Sequence, residues 1–273
     1  VPGHEIIGTV TALGEDVRLV SKNDMVGVSW LGWTCGECRY CKRGQENLCE
    51  QAQFTGFSRD GGFADYTIAD ARYVFPIESK VDPKALSPLM CAGLIGYRAY
   101  RMTGAAQKLG LYGFGAAAHI LAQVAIADGR DIYAFTKPGD LAGMAFALDL
   151  GAAWAGGSDE TPPVTLDAAI IFAPVGDLVP VALTHIDKGG LVICAGIHMS
   201  DIPSFTYEHL WSERQVRSVA NLTRQDGKEF LDHIRDHPVK TLWHPYELED
   251  ANQALDDLRD GRFKGAAVLV MDS

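Results

Sequence analysis

Four cysteines, Cys35, Cys38, Cys41 and Cys49, stand at the spacing C-x2-C-x2-C-x7-C, and this spacing constrains the local path of the chain more tightly than any other feature. Three soft ligands within so short a stretch, with a fourth nearby, can reach one tetrahedral zinc ion without help from the rest of the chain. Gly36 and Gly44 let the backbone curl around it. Four thiolates leave no open coordination position, so such a zinc holds a lobe together and performs no chemistry. Two disulfides or four unrelated buried thiols are the alternatives, but cysteines this close together pair badly.

The chain has 273 residues, 47% of them apolar, enough for one large domain or two of medium size. A formal charge of -11 and the lack of any Lys/Arg cluster argue against a nucleic-acid partner. No segment has the length and apolarity of a membrane span, and the opening Val1-Pro2-Gly3-His4-Glu5 reads as strand and turn, not as a leader. Six cysteines in a metal-like pattern suit a reducing, cytoplasmic location.

Texture divides the chain into three. Short β-prone runs at Ile6–Val10, Asp24–Trp30, Gly62–Ile68 and Tyr73–Phe75 predict a small antiparallel barrel or sandwich interrupted by the cysteine lobe. From about Gly93 to Val219, apolar strands alternate with helical patterns: Lys108–Tyr112, Ala116–Ala127, Asp131–Thr136, Leu141–Leu150, Ala168–Phe172, Val175–His185 and Leu191–Ala195. That alternation predicts right-handed βαβ units and a parallel sheet covered on both faces, an α/β fold. In the tail, Leu248, Ala251, Leu255 and Leu258 mark one face of a helix, and a last strand at Ala266–Val270 returns to the first lobe.

Between the strand Lys108–Tyr112 and an alanine-rich helix lies Gly113-Phe114-Gly115-Ala116-Ala117-Ala118. Gly113 permits the tight turn, Gly115 lets the backbone approach a pyrophosphate, and the helix N-terminus supplies unpaired N–H groups; Ala118 keeps the helix close to the strand. A nicotinamide dinucleotide is the redox partner such a site suits. A carboxylate at the end of the next strand would bond the ribose of NAD, but Asp131–Thr136 ends in Thr136-Lys137. A hydroxyl and a positive charge tilt the site from NAD towards NADP; a merely solvated Lys137, or Asp140 swinging back to the ribose, is the alternative. His4 and Cys91 are further metal-ligand candidates, although each by itself reads equally well as a packed side chain.

Gly3-His4-Glu5, the Cys35/Cys38/Cys41/Cys49 lobe, Cys91-Ala92-Gly93, Gly113-Phe114-Gly115 and Gly261-Arg262-Phe263-Lys264-Gly265 occur in the order found in the zinc-dependent medium-chain alcohol dehydrogenases, which the whole chain resembles. The resemblance implies a mainly β GroES-like catalytic domain from residues 1–92 and 236–273, enclosing a Rossmann domain at 93–235. It further implies that His4 and Cys91 ligate a catalytic zinc, with Glu5 as the adjacent carboxylate that tunes or joins it. Homodimers or homotetramers are implied as well.

The family's third ligand, a cysteine upstream of the histidine, and its proton-relay hydroxyl would precede Val1, so the expectation is an N-terminally incomplete site and a chain that turns over poorly. Ala266 stands where relatives place an arginine towards the pyrophosphate, leaving Lys264 or Arg262 to supply charge. Ile95 stands where a threonine often faces the nicotinamide, and shapes an apolar wall there. Cys194, inside the strand Leu191–Ala195, reads as packing and not as a replacement ligand. The implied reaction is hydride transfer between an alcohol or aldehyde and NAD(P), with zinc polarising the oxygen. Trp30, Phe54, Phe57 and Ile197-His198-Met199 are pocket candidates against a background of ordinary core packing. The alternative function is a catalytically incomplete NAD(P)-binding member of the family.

Overall fold

A computed structural model describes residues 1–78 and 81–271. In chain order the first elements are β1 (Ile6–Thr9), β2 (Met25–Val28), β3 (Leu31–Trp33), β4 (Gln53–Phe54), β5 (Val74–Pro76), α1 (Pro83–Leu86) and α2 (Ala92–Met102). Alternation follows: β6 (Lys108–Tyr112), α3 (Ala116–Ala127), β7 (Asp131–Thr136), α4 (Leu141–Asp149), β8 (Trp154–Gly157), β9 (Leu166–Ile171), α5 (Leu178–His185) and β10 (Ile186–Cys194). The chain closes with α6 (Tyr207–Leu210), β11 (Gln215–Ser218), α7 (Arg224–Asp236), β12 (Trp243–Glu247), α8 (Ala251–Arg259) and β13 (Ala266–Val270). These elements fall into two compact units, Val1–Leu94 with Asn221–Ser273, and Ile95–Ala220. Among the described residues no helix is long and apolar enough to cross a membrane.

The second unit is a six-stranded parallel sheet in the order β11-β10-β9-β6-β7-β8. β6, β7 and β8 follow one another outwards, and the chain then returns to lay β9 on the other side of β6. That reversal makes the gap beyond the C-terminal ends of β6 and β9 the topological switch point, where sheets of this kind bind ligands. The strands are continuous apolar runs because both faces are covered: Leu109, Leu111, Ile132, Ala134, Phe135, Ile170 and Ile171 are fully buried. Each such large side chain contributes about 1.5–3 kcal/mol relative to exposure. Beneath the sheet, Tyr112 stacks on Phe135 at 3.9 Å, and its buried hydroxyl is satisfied by His185 Nδ1 at 2.7 Å.

The helical and parallel-strand expectations fit to within two residues with two exceptions: β10 begins at Ile186, five residues before the expected Leu191, and α5 starts three residues late, at Leu178 instead of Val175. Gly176 donates its N–H to Ser200 Oγ at 2.8 Å, and that stitch between loops holds the backbone out of the helix.

The first unit holds an antiparallel sheet β1-β2-β5, the pair β3-β4 and the parallel pair β12-β13. The strand expected at Gly62–Ile68 does not form. Its start is taken by irregular bonds, Gly62 N to Gly3 O and Phe63 N to Pro2 O, while Tyr66 and Ile68 are 77% and 89% exposed. A β-prone run without a partner strand gains nothing from being extended. The expected face of the tail helix is also rotated: Leu255 and Leu258 are about half exposed, whereas Ala254 is buried. The Tyr246 hydroxyl donates to Asp257 at 2.9 Å and Arg262 pairs with the same carboxylate, so α8 turns its Ala254–Asp257 side inwards.

Candidate metal centres and dinucleotide site

The cysteine loop curls as its spacing requires. Gly44 adopts φ 69° and closes a 3-10 turn at Cys41–Arg43, and a second such turn, Glu46–Leu48, delivers Cys49. The four Sγ atoms lie within 4.8 Å of one another, with Cys35 at 3.5 Å from Cys49 and 4.0 Å from Cys41. A zinc–sulfur bond of about 2.3 Å gives a tetrahedron edge of about 3.8 Å, between those two separations. Backbone N–H groups point at the sulfurs: Cys38 N to Cys35 at 3.3 Å, Cys41 N to Cys38 at 3.5 Å and Gln51 N to Cys49 at 3.4 Å. The Cys41 N–H pulls the Cys38 thiol down to about 6, whereas burial pushes Cys49 up to about 11. This donor set fits a closed four-thiolate metal site.

A second group lies in the same unit. His4, Glu5 and Cys91 come from the strand-leading turn before β1 and the turn before α2, and their ligand atoms also lie within 4.8 Å of one another. Ser87 Oγ donates to the Glu5 carbonyl at 2.7 Å and fixes that turn. Burial raises the Glu5 carboxyl to about 7 against the bonds it receives from Ala92 N–H and the Cys91 thiol. Burial pushes Cys91 up to about 12, and the neighbouring carboxylate adds to the shift. Desolvation lowers the pKa of His4, which keeps the imidazole neutral and able to act as a ligand. An imidazole, a carboxylate and a thiol brought together from two part-buried turns fit a divalent metal with room for a further ligand.

Beside His4 stands an aromatic wall. Trp30 meets the imidazole edge-on at 4.9 Å, stacks on Phe54 at 5.0 Å and has Phe57 at 6.0 Å. Phe57 is 79% exposed, so it is a surface feature and not core packing. The remaining pocket candidates belong to the other unit: Ile197 is exposed, His198 sits in the left-handed region at φ 53°, and Met199 packs on the core of that unit. Cys194 is buried in the same core, as its place in a strand suggests.

At the switch point, Gly113 has φ 89°, and a Cβ there would stand 2.8 Å from Ala173. Both conditions require glycine. Gly115 differs: it is the N-cap of α3 with no side-chain cap, and nothing lies within 4 Å of where its Cβ would be. The fold itself therefore tolerates a side chain at Gly115, and the open space together with the uncapped helix end fits an incoming pyrophosphate. Phe114 lies edge-on to Phe146 at 6.1 Å, Ala116 opens the helix, and Ile95 is part-buried on α2.

Thr136 is buried, with its hydroxyl donating to Gly156 O at 3.3 Å, and Lys137 is exposed. Asp140 accepts from Gly143 N at 2.9 Å as the cap of α4, so its carboxylate is already engaged. In the other unit Arg262 is held by Asp257 and Asp260, whereas the side chain of Lys264 is exposed.

One half-buried ion pair in the cysteine loop has no marker in the sequence. Glu46, 7% exposed, receives the Arg224 backbone N–H and Nε at 2.9 Å and the guanidinium NH2 at 2.6 Å. Glu46 could have drawn notice as a carboxylate between two ligand cysteines, but nothing local marks Arg224 as its partner.

The model of the alcohol dehydrogenase GroES-like domain matches residues 1–79. A protein of Mycobacterium tuberculosis described as probable alcohol dehydrogenase AdhA is 46% identical over 279 aligned positions, covering 99% of this chain and 80% of that protein. Among solved structures, CAD from Helicobacter pylori complexed with NADP(H) superposes with a TM-score of 0.86 at 22% identity, covering 100% of this chain and 81% of the other. Acetophenone reductase from Geotrichum candidum in complex with NAD superposes with a TM-score of 0.85 at 25% identity, covering 98% and 80%.

Proposed function

The chain belongs to the zinc-type medium-chain alcohol dehydrogenase family, and on that premise we propose that it transfers hydride between an alcohol or aldehyde and NAD(P). In this reading the unit holding both metal groups is the catalytic domain, and the parallel-sheet unit binds the dinucleotide. The observation that carries it is the meeting of His4, Glu5 and Cys91 from distant segments within 4.8 Å, separate from the four-thiolate group.

When bound, zinc at that trio supplies a Lewis acid for the substrate oxygen, and the nicotinamide supplies or accepts the hydride. The residues of the chain do the rest. His4 stays neutral through burial and keeps a lone pair for the metal; its ring is oriented by the edge contact with Trp30. Burial keeps Cys91 protonated, and it would have to give up that proton to serve as a thiolate ligand. Glu5, with its carboxyl near neutrality, can share or take up charge as a ligand or as a proton-holding neighbour of Cys91. Trp30, Phe54 and Phe57 offer an apolar face on which the body of the alcohol lies while water is excluded.

Gly113, Phe114, Gly115 and Ala116 seat the pyrophosphate at the start of α3, and Ile95 contributes an apolar contact. For the ribose we favour NADP. Lys137 is the exposed cation at the end of β7, Thr136 fixes the turn that carries it, and Asp140 is committed to its helix cap. Neighbours bound to NADP(H) and to NAD share the fold, so the preference rests on these side chains.

The test combines metal content with turnover. Wild type should bind two zinc ions per chain and reduce NADP with an alcohol at the low rate expected of it; Cys91→Ala should keep one zinc and lose that turnover. A Cys91→Ala protein that turns over normally would refute the assignment.

A further inference from the structure

The two metal groups are joined by one helix. Arg224, the first residue of α7, forks onto Glu46 in the cysteine loop with bonds of 2.9 and 2.6 Å, and its guanidinium lies 4.8 Å from the centre of the buried Tyr73 ring. The Tyr73 hydroxyl pairs at 2.5 Å with Oγ1 of Thr34, the residue before Cys35, and the Glu46 carbonyl accepts the N–H of Cys49 at 3.0 Å. Both ends of the loop are thereby fastened to this helix start. The start is itself rigid, because Thr223 and Asp226 form a reciprocal capping box.

Further along α7, Gly227 lies against the Phe75 ring, and the fully buried Phe230 covers Gly93 so closely that a Cβ at residue 93 would sit 2.6 Å from its ring. Gly93 is two residues from Cys91. An arginine at one end of the helix and a phenylalanine six residues along thus touch the surroundings of the two different ligand sets. Side chains that orient ligands without binding the metal commonly change metal affinity about 10- to 100-fold.

We propose that α7 is a positioning strut between the two centres: Arg224 fixes the four-cysteine loop through Glu46, and Phe230 fixes Cys91 through Gly93, so occupancy of the loop governs metal retention at His4, Glu5 and Cys91. The proposal rests on the reading that both groups hold zinc.

The experiment follows zinc release from the full chain to a colorimetric chelator, after counting zinc per chain. Wild type releases two ions in two phases, and Cys91→Ala identifies the phase belonging to the trio. Fewer than two zinc ions in wild type would refute the underlying reading before any variant is considered. Arg224→Met should speed both phases about 10- to 100-fold, with Arg224→Lys intermediate because it keeps charge but loses the fork. Cys38→Ala, which removes the loop metal, should speed release from the trio by a similar factor. Phe230→Leu should speed the trio phase alone, and it serves as the second variant if Arg224→Met does not fold. A trio phase unchanged in Arg224→Met or Cys38→Ala, with two zinc ions counted in wild type, would overturn the coupling and leave α7 a purely local support.

Discussion

Gly113 and Gly115 lie two residues apart in one motif, yet the structure assigns them opposite sensitivities. Gly113→Ala places a Cβ 2.8 Å from Ala173 at φ 89°. A left-handed backbone at a residue with a side chain costs roughly 1–2 kcal/mol, and forced overpacking roughly 1–3 more. The sum is about 2–5 kcal/mol of lost stability for the parallel-sheet unit, with or without ligand. A Cβ at residue 115 meets nothing within 4 Å, so the main cost of Gly115→Val to the fold is a poorer N-cap, about 1 kcal/mol. A pyrophosphate resting on that backbone would be obstructed, and affinity should fall at least about tenfold, equivalent to about 1.4 kcal/mol. Urea unfolding followed by tryptophan fluorescence, beside fluorescence titration with NADPH and NADH, separates the two effects. The reasoning fails if Gly115→Val binds both dinucleotides as wild type does, or if it loses as much stability as Gly113→Ala.

Further expectations follow from other contacts. Cys38→Ala should lower zinc content by one ion per chain and loosen the loop, and unchanged zinc by atomic absorption would contradict the four-thiolate assignment. Glu46→Gln should cost about 1–3 kcal/mol at neutral pH. Burial raises the carboxyl of Glu46, but its bonds to Arg224 outweigh that, and the net shift is downward. Its contribution is therefore present above the unfolded carboxylate value and lost as pH falls through the folded one. Unfolding midpoints measured against pH should show wild type and Glu46→Gln converging in acid; parallel curves would remove the ion pair from the account. Lys137→Ala should weaken NADP binding about tenfold and leave NAD nearly unchanged, whereas equal effects on both would make Lys137 a solvated loop residue.

The parallel-sheet unit was legible because its signals are local. β6, α3 and β7 begin and end where apolar runs and Gly113 place them, since a strand buried on both faces announces itself in composition. The cysteine loop was legible for the same reason. Helix α7 was missed although Thr223 and Asp226 stand at capping-box spacing and Phe230 and Ile234 share one face; what the sequence cannot show is that Phe230 packs on Gly93. Gly62–Ile68 failed in the other direction, because β-propensity at Tyr66 and Ile68 cannot supply a neighbouring strand. His4 and Cys91 could be named as ligand candidates from residue type alone, but joining them with Glu5 in one site rested on the family resemblance. Their local contexts are ordinary, and their approach is made by Ser87 holding Glu5 and by packing around Met90 and Gly93.

The most direct measurement of the central assignment is alcohol-dependent NADP reduction by zinc-loaded protein, recorded for wild type and His4→Ala together with NADPH affinity. The account predicts slow, alcohol-dependent turnover in wild type and a loss of at least about 10²-fold in His4→Ala with NADPH affinity unchanged, because the ligand lies outside the unit proposed to bind the dinucleotide. Wild-type turnover in His4→Ala would contradict it.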